Sequence, residues 1–443
     1  MPDEMRVRRP ERLRGTIAIP GDKSVTHRAI MFNAVALGDA RIEGFLNAAD
    51  TRSTLECMRA FGVVVDEPGP GTLVVHGRGR AALLEAGDVL DCGNSGTTMR
   101  LLTGLVAGLP MLSVLTGDRS LRNRPMARIV RPLAQLGADI SARAEGTLPP
   151  VVVRGGGLRG GQRIDTPVAS AQVKSALLLA GLAADGPITV SEPSMSRDHT
   201  ERLLSAMGAH IATAEEGGRH VVTLTPPGGD LVAADVTVPG DISTAAAWLV
   251  LATLHPDADL LLTGVGMNPT RTGLLDILAA MGADIQVLEE RTTGGEPVAD
   301  LRVRSARLHG VEVGGDLVPR AIDELPLVAL AGALAEGETL IRDAEELRVK
   351  ESDRVASTAA ALRAFGADIE ERPDGMRVRG VAALHAGRAA SLGDHRLAML
   401  GAVAGMLADA ESTIEGGGAV AVSYPEFWGH VASFNATEDA IPR

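Results

Sequence analysis

A short glycine phrase returns five times along this chain, and its spacing constrains the architecture more than any other feature. It reads Ala60-Phe61-Gly62-Val63, Leu136-Gly137-Ala138-Asp139-Ile140 and Met207-Gly208-Ala209-His210-Ile211, then Met281-Gly282-Ala283-Asp284-Ile285 and Phe365-Gly366-Ala367-Asp368-Ile369. The glycines lie 75, 71, 74 and 84 residues apart. Each follows an amphipathic helical pattern, such as 358–365, and precedes a β-rich run, the signature of a glycine-capped helix leading into a strand. A sixth helical pattern, about 424–434, lacks the phrase. Within each unit an earlier helix begins, near Ser24, Ser95, Ser170, Ile242, Asp323 and Asp394. The unit therefore reads strand, helix, strand, helix, strand, strand, with 187–191 and 220–224 as two strands of the third. Such a repeat is too long for an ordinary solenoid. An α/β fold of two similar domains, each of three βαβαββ units, fits it. The sixth unit runs out of chain after its second helix, so segment 5–18 is expected to complete it. The chain then leaves the last domain near Pro20 and returns near Pro239. The expected domains are 1–20 with 239–443, and 21–238, joined by two crossover segments.

Composition narrows the function classes. Hydrophobic residues make up 45% and charged residues 22% of 443, enough to bury large cores. The longest apolar runs, 245–254 and 397–408, are too short to cross a bilayer, and Met1-Pro2-Asp3-Glu4 does not open a leader pattern. Cys57 and Cys92 are the only cysteines, which gives neither a disulfide framework nor a thiolate metal site. These features point to a cytoplasmic enzyme. A net charge of −13 with 2% aromatics is a poor profile for binding nucleic acid.

Lysine is nearly absent: of 43 basic residues only Lys23, Lys174 and Lys350 are lysines. A chain that uses arginine by default keeps lysine where a compact ammonium does what a planar guanidinium does not. Lys23 and Lys350 are therefore expected to line a site for anionic chemistry. Polar phrases fall at corresponding places in the repeat, at or near helix starts. Ser95, Ser243, Thr270 and Thr200 read as ordinary N-caps, and Asp323 as the N-cap of a helix over 323–334. Arg28, Arg124, Arg197, Arg354, Arg396, Lys23 and Lys350 also stand near helix starts, where the macrodipole disfavours cations. The pattern makes sense if a multiply anionic ligand sits among them and takes backbone N–H groups and cations together.

Several familiar motifs are missing. Gly21-Asp22-Lys23-Ser24 lacks the upstream glycine of a phosphate-binding P-loop. There is no H-E-x-x-H and no G-x-S-x-G. Cys57 lies within a helical pattern and reads as core, while Cys92 has no evident partner base.

The phrases Pro20-Gly21-Asp22-Lys23-Ser24 with Arg28, Gly93-Asn94-Ser95-Gly96-Thr97 with Arg100, and Arg124-Pro125-Met126 together resemble the enolpyruvyl transferase family. So do Ser170-Ala171-Gln172, Arg348 to Arg354 and Asp394-His395-Arg396. Within that family they resemble the 5-enolpyruvylshikimate-3-phosphate synthases. Arg197-Asp198-His199-Thr200-Glu201 and Asn268-Pro269-Thr270-Arg271 are similar to the class II subgroup. The resemblance covers essentially the whole chain and implies an inside-out α/β barrel in each domain.

It also implies that phosphoenolpyruvate and shikimate 3-phosphate are the partners, with no cofactor and no metal; composition adds the expectation of no nucleic acid and no membrane, and the enzyme is expected to be a monomer. Shikimate 3-phosphate would be held by Lys23, Ser24, Arg28, Ser170, Ala171, Gln172, Arg197, Asp323 and Lys350. Phosphoenolpyruvate would be held by Lys23, Asn94, Gly96, Arg124, Gln172, Arg354 and Arg396. The catalytic candidates are Asp323 as base towards the 5-hydroxyl, and Glu351 or Lys23 as the proton carrier to C3. Ala171 stands where many relatives carry serine, and Val422 where many carry lysine. In relatives, alanine at the position of Gly96 accompanies tolerance to glyphosate, so this chain is expected to be a glyphosate target. The sister enzyme acting on UDP-N-acetylglucosamine would carry Lys-Asn in place of Lys23-Ser24 and a cysteine near 119–124. A third reading is a non-catalytic repeat scaffold that binds small anions.

Overall fold

The computed structural model describes residues 4–435; residues 1–3 and 436–443, which include the outer ends of the expected domain bounds and the first residues of the Met1-Pro2-Asp3-Glu4 start, lie outside them. All five repeated glycines adopt positive φ, from 83° at Gly62 to 96° at Gly282. That left-handed conformation is what an L side chain resists and glycine accepts. Each glycine ends a helix and releases the chain into an edge strand.

The second repeat shows the full unit. Strand Leu90–Asp91 leads to helix Gly96–Ala107, strand Leu112–Thr116, helix Ala127–Gln135, and strands Asp139–Ala142 and Leu148–Arg154. The second strand runs parallel to the first and antiparallel to the last, and the third takes the far edge. The third and fifth repeats have the same order.

The remaining three repeats are completed by distant chain. Val236–Thr237 pairs in parallel with Leu37–Glu43 and supplies the missing first strand of repeat one. Leu13–Ala18 does the same for repeat four by pairing with Ala258–Gly266. Glu4–Val7 alone pairs with Ser412–Glu415 of repeat six. The expectation that 5–18 completes the sixth repeat is thus corrected: the segment divides, and its longer part opens the fourth. Pairing between strands so far apart in sequence leaves no local signal.

Contacts group the chain into two compact units. Residues 21–239 with 292–296 form an inserted unit; residues 4–20, 240–291 and 297–435 form a discontinuous one. Each has its own apolar core. In the discontinuous unit, helices Ile242–Leu254, Leu325–Ala333 and His395–Leu407 are buried almost all round, as expected for helices apolar on every face. They pack on one another with the sheets outside them, so the barrel is inside-out. The inserted unit does the same with Lys23–Ala34, Gly96–Ala107 and Ala171–Gly181. There a Cβ at Gly104 would stand 2.1 Å from the carbonyl oxygen of Ala176; the two helices approach too closely for any side chain.

Four helix starts differ from expectation. Ser95 does cap its helix, accepting the N–H of Thr98 at 3.1 Å. Ser243 and Thr200 lie inside their helices, because Asp241 and Asp198 occupy the cap positions ahead of them. Thr270 donates to Asn268 Oδ1 at 2.7 Å while the helix begins later, at Gly273. Glu324, not Asp323, stands at the start of helix Leu325–Ala333, and Asp323 is turned to other partners.

Candidate active site

In the inserted unit the helix start at Gly96 is held from below by a buried chain of hydroxyls. Thr98 Oγ1 donates to Ser95 Oγ at 2.7 Å, lies 2.7 Å from Thr54 Oγ1, and Thr54 reaches His27 Nδ1 at 2.6 Å. Burial, reinforced by Lys23 and Arg28, pushes His27 well below its ordinary pKa, so it serves as a neutral hydrogen-bonding ring.

Above this base the expected phosphoenolpyruvate residues of the unit gather. Arg124 Nη2 donates to Asn94 Oδ1 at 2.6 Å. A Cβ at Gly96 would lie 3.3 Å from Arg124 Nη1 and 3.7 Å from Arg100 Nη1. Arg100 in turn donates to Gln172 Oε1, whose amide Nε2 donates to Thr97 Oγ1 at 3.1 Å. Arg100 and Thr97 are part of the recognised motif but were not read as site residues; they are the link between Gly96 and Gln172. Lys23 Nζ meets Asp50 Oδ2 at 3.2 Å. Asp50 was not foreseen, since it lies 27 residues away on a separate helix and no motif marks it.

The expected shikimate 3-phosphate residues form a second group. Arg28 is buried, and donates to Thr200 Oγ1 at 2.7 Å, Ser175 Oγ at 2.8 Å and the Ser24 carbonyl at 2.9 Å. Burial pushes its guanidinium down to about 10 against the pull of Glu201 and Asp22, so it remains a cation at neutral pH. Arg197 is close enough to act on Arg28 electrostatically. Ser170 stands at the cap position of helix Ala171–Gly181.

The discontinuous unit presents carboxylates around one guanidinium. Arg354, 1% exposed, donates through Nε and Nη2 to Asp394 at 2.8 and 3.1 Å, through Nη1 to Asp323 at 3.0 Å and through Nη2 to Glu351 at 2.7 Å. Burial opposes the charge on Arg354, but Glu351, Asp394 and Asp323 outweigh it and raise its pKa. Burial likewise works against Asp394, and Arg354 more than offsets it, leaving that carboxyl below the ordinary range. Asp323 also faces Lys350 Nζ at 3.8 Å; burial pulls the Lys350 ammonium below its ordinary value in spite of Asp323 and Glu346. Asp323 therefore belongs to an ion cluster and its reading as a helix cap is withdrawn.

Arg396 donates to the Ser243 carbonyl at 3.0 Å and lies 3.9 Å from Glu324. Val422 closes a short turn, Gly417–Val422, and is half-buried.

Neither cysteine belongs to these groups. Both are buried, and a hydrogen bond from the Cys92 thiol to Cys57, together with burial, raises the Cys92 thiol well above its ordinary value, far from a nucleophilic thiolate. Among the described residues no set of three or more His, Cys, Asp or Glu side chains is arranged to hold a metal ion, and no helix is long and apolar enough to cross a membrane.

Comparison with known proteins shows what the chain is similar to. The family model described as EPSP synthase (3-phosphoshikimate 1-carboxyvinyltransferase) matches residues 7–431. A 3-phosphoshikimate 1-carboxyvinyltransferase of Roseiflexus sp. (strain RS-1) is 54% identical over 96% of this chain and 97% of its own. One from Herpetosiphon aurantiacus is 52% identical over 95% and 97%. The solved EPSP synthase of Acinetobacter baumannii superposes with a TM-score of 0.85 at 43% identity, covering 97% of this chain and 98% of that one. The enolpyruvyl transferase NikO from Streptomyces tendae, at 21% identity and a TM-score of 0.78, shares the fold.

Proposed function

The chain belongs to the EPSP synthase family, and we propose from that premise that it transfers the carboxyvinyl group of phosphoenolpyruvate to the 5-hydroxyl of shikimate 3-phosphate and releases phosphate. The family match along residues 7–431 carries this reading.

The reaction needs two proton movements. The 5-hydroxyl oxygen adds to C2 of the enol as it loses a proton, and C3 gains one. The tetrahedral intermediate then expels phosphate and returns a C3 proton. Such chemistry calls for an acid and a base on different sides of the reacting carbon. Asp323 takes the base role towards the hydroxyl, and Glu351 or Lys23 carries the C3 proton. Ser24, Arg28, Ser170, the backbone at Ala171, Gln172, Arg197 and Lys350 bind shikimate 3-phosphate. Asn94, Gly96, Arg124, Gln172, Arg354 and Arg396, with Lys23, bind phosphoenolpyruvate and stabilise charge on the departing phosphate. Cytoplasmic residence is part of the same reading, supported by two cysteines that are free and buried.

The direct test is phosphate release. Release on adding phosphoenolpyruvate only when shikimate 3-phosphate is present is expected. Binding of either anion without release would support a scaffold that binds anions and does no chemistry.

Two variants probe the phosphoenolpyruvate group. Lys23→Arg is expected to lower kcat/KM by roughly tenfold or more, because a planar guanidinium does not fit where a single ammonium faces Asp50. Wild-type activity in steady-state assays would mean that lysine is not required there. Gly96→Ala places a methyl against the Arg124 guanidinium. Glyphosate, longer than phosphoenolpyruvate, is expected to compete for this position and to suffer more. The ratio of its inhibition constant to the phosphoenolpyruvate KM should rise by a factor of about 10–200, equivalent to about 1–3 kcal/mol, the usual worth of a methylene-sized difference. Equal rises in both constants would show that the methyl does not discriminate.

A further inference from the structure

Lys174 is the one lysine that the proposed chemistry leaves unused. It is fully buried. Its ammonium meets three acceptors: Glu201 Oε1 at 2.7 Å, Glu192 Oε2 at 3.1 Å and the Ser196 carbonyl at 3.2 Å. Three N–H donors splayed tetrahedrally suit such a set; a planar fork does not. Burial alone would lower the ammonium's pKa, and the two carboxylates overcome that and raise it.

From this point the polar network runs two ways. Glu192, also fully buried, uses Oε1 to accept the backbone N–H of Ser170 at 2.8 Å and takes the Ser196 hydroxyl at 2.9 Å through Oε1 and 2.7 Å through Oε2. On the other side Glu201 follows Thr200, whose hydroxyl accepts Arg28 Nε and lies 2.6 Å from Ser175 Oγ, the acceptor of Arg28 Nη2. One buried cluster thus holds the Ser170 helix start by a hydrogen bond and acts on the Arg28 guanidinium through the charge of Glu201. Stability does not account for it, since a buried ion cluster is often no more stable than an apolar replacement of the same volume. Preorganisation does: ligands held by a locked supporting layer bind without reordering.

We propose that Lys174, with Glu192 and Glu201, is a positioning cluster for shikimate 3-phosphate, fixing the spacing of Ser170 and Arg28 and governing affinity for that substrate more strongly than for phosphoenolpyruvate. This rests on the reading of Ser170 and Arg28 as its ligands.

The test compares Lys174→Arg, which keeps the charge and loses the three-way geometry, with Glu192→Gln, which keeps an acceptor for the Ser170 N–H and loses the charge. Arg28→Ala is run beside them. Titration calorimetry with shikimate 3-phosphate, steady-state kinetics and thermal unfolding are measured on the full chain. Lys174→Arg is expected to raise the shikimate 3-phosphate Kd by about tenfold, the worth of one charge-assisted hydrogen bond. Glu192→Gln should raise it in the same direction. In both, kcat at saturation and the phosphoenolpyruvate KM should stay within about twofold to threefold, a range well under the tenfold effect. An unchanged Kd in both variants, with Arg28→Ala weakened, overturns the cluster's role while leaving the ligand reading intact. A parallel rise of both substrates' KM values with a fall in Tm would make the cluster merely structural. An unchanged Kd in Arg28→Ala would instead overturn the ligand reading itself. Should Lys174→Arg fail to fold, Glu192→Gln decides.

Discussion

Asp323→Asn is expected to reduce kcat by about 100- to 10,000-fold, the range that general acid–base groups contribute, with little loss of substrate binding or stability. The amide has the carboxylate's shape and can still accept from Arg354 Nη1, now at 3.0 Å. What it loses is the capacity to take a proton from the 5-hydroxyl. The expected pattern is a fall in kcat with the shikimate 3-phosphate Kd almost unchanged, read by steady-state kinetics and calorimetry. Near-normal turnover would remove Asp323 from the base role and leave it as a partner of Arg354 and Lys350.

The second large effect is on stability. Arg354→Leu should cost about 3–5 kcal/mol in denaturant unfolding, the usual result of breaking a buried pair from one side. Asp394 is 0% exposed and would be left without its main counter-charge. The effect has a pH signature. In the wild type the Asp394 carboxyl is held below its ordinary value, so its contribution is present above the unfolded pKa and is lost as pH falls through the folded one. In the variant, burial is opposed mainly by His395, no longer by Arg354, and moves that pKa upward relative to the wild type. The stability gap between the proteins should therefore narrow as pH falls from 7 towards 5. Arg354→Leu combined with Asp394→Asn should recover much of the loss, and additive costs in that double variant would show that the two groups are not coupled.

The repeat could be read from the chain because its marker is local: a helix that must end in a left-handed residue shows a glycine, and Gly62, Gly137, Gly208, Gly282 and Gly366 all have positive φ. Strand exchange could not be read, because nothing near Leu13 or Val236 names its partner strand. Motif residues such as Arg124, Asn94 and Gln172 were recognisable by sequence, yet their bridging through Arg100 and Thr97 depends on helices that meet only in the fold. Asp323 looked like a cap because aspartate before an apolar helix usually is one; its actual partners, Arg354 and Lys350, come from another part of the repeat. Lys174 and Lys23 look alike in sequence, each in a short polar phrase. Only burial separates them, one enclosed by two glutamates and the other beside Asp50 at the start of a helix.

The central claim, carboxyvinyl transfer by addition and elimination, breaks the C2–O bond of phosphoenolpyruvate and not the P–O bond. Phosphoenolpyruvate labelled with oxygen-18 in its bridging oxygen tests this when turned over with shikimate 3-phosphate and analysed by mass spectrometry. The label should appear in the released phosphate, with no pyruvate formed. Unlabelled phosphate accompanied by labelled pyruvate would mean hydrolysis at phosphorus and would contradict the mechanism.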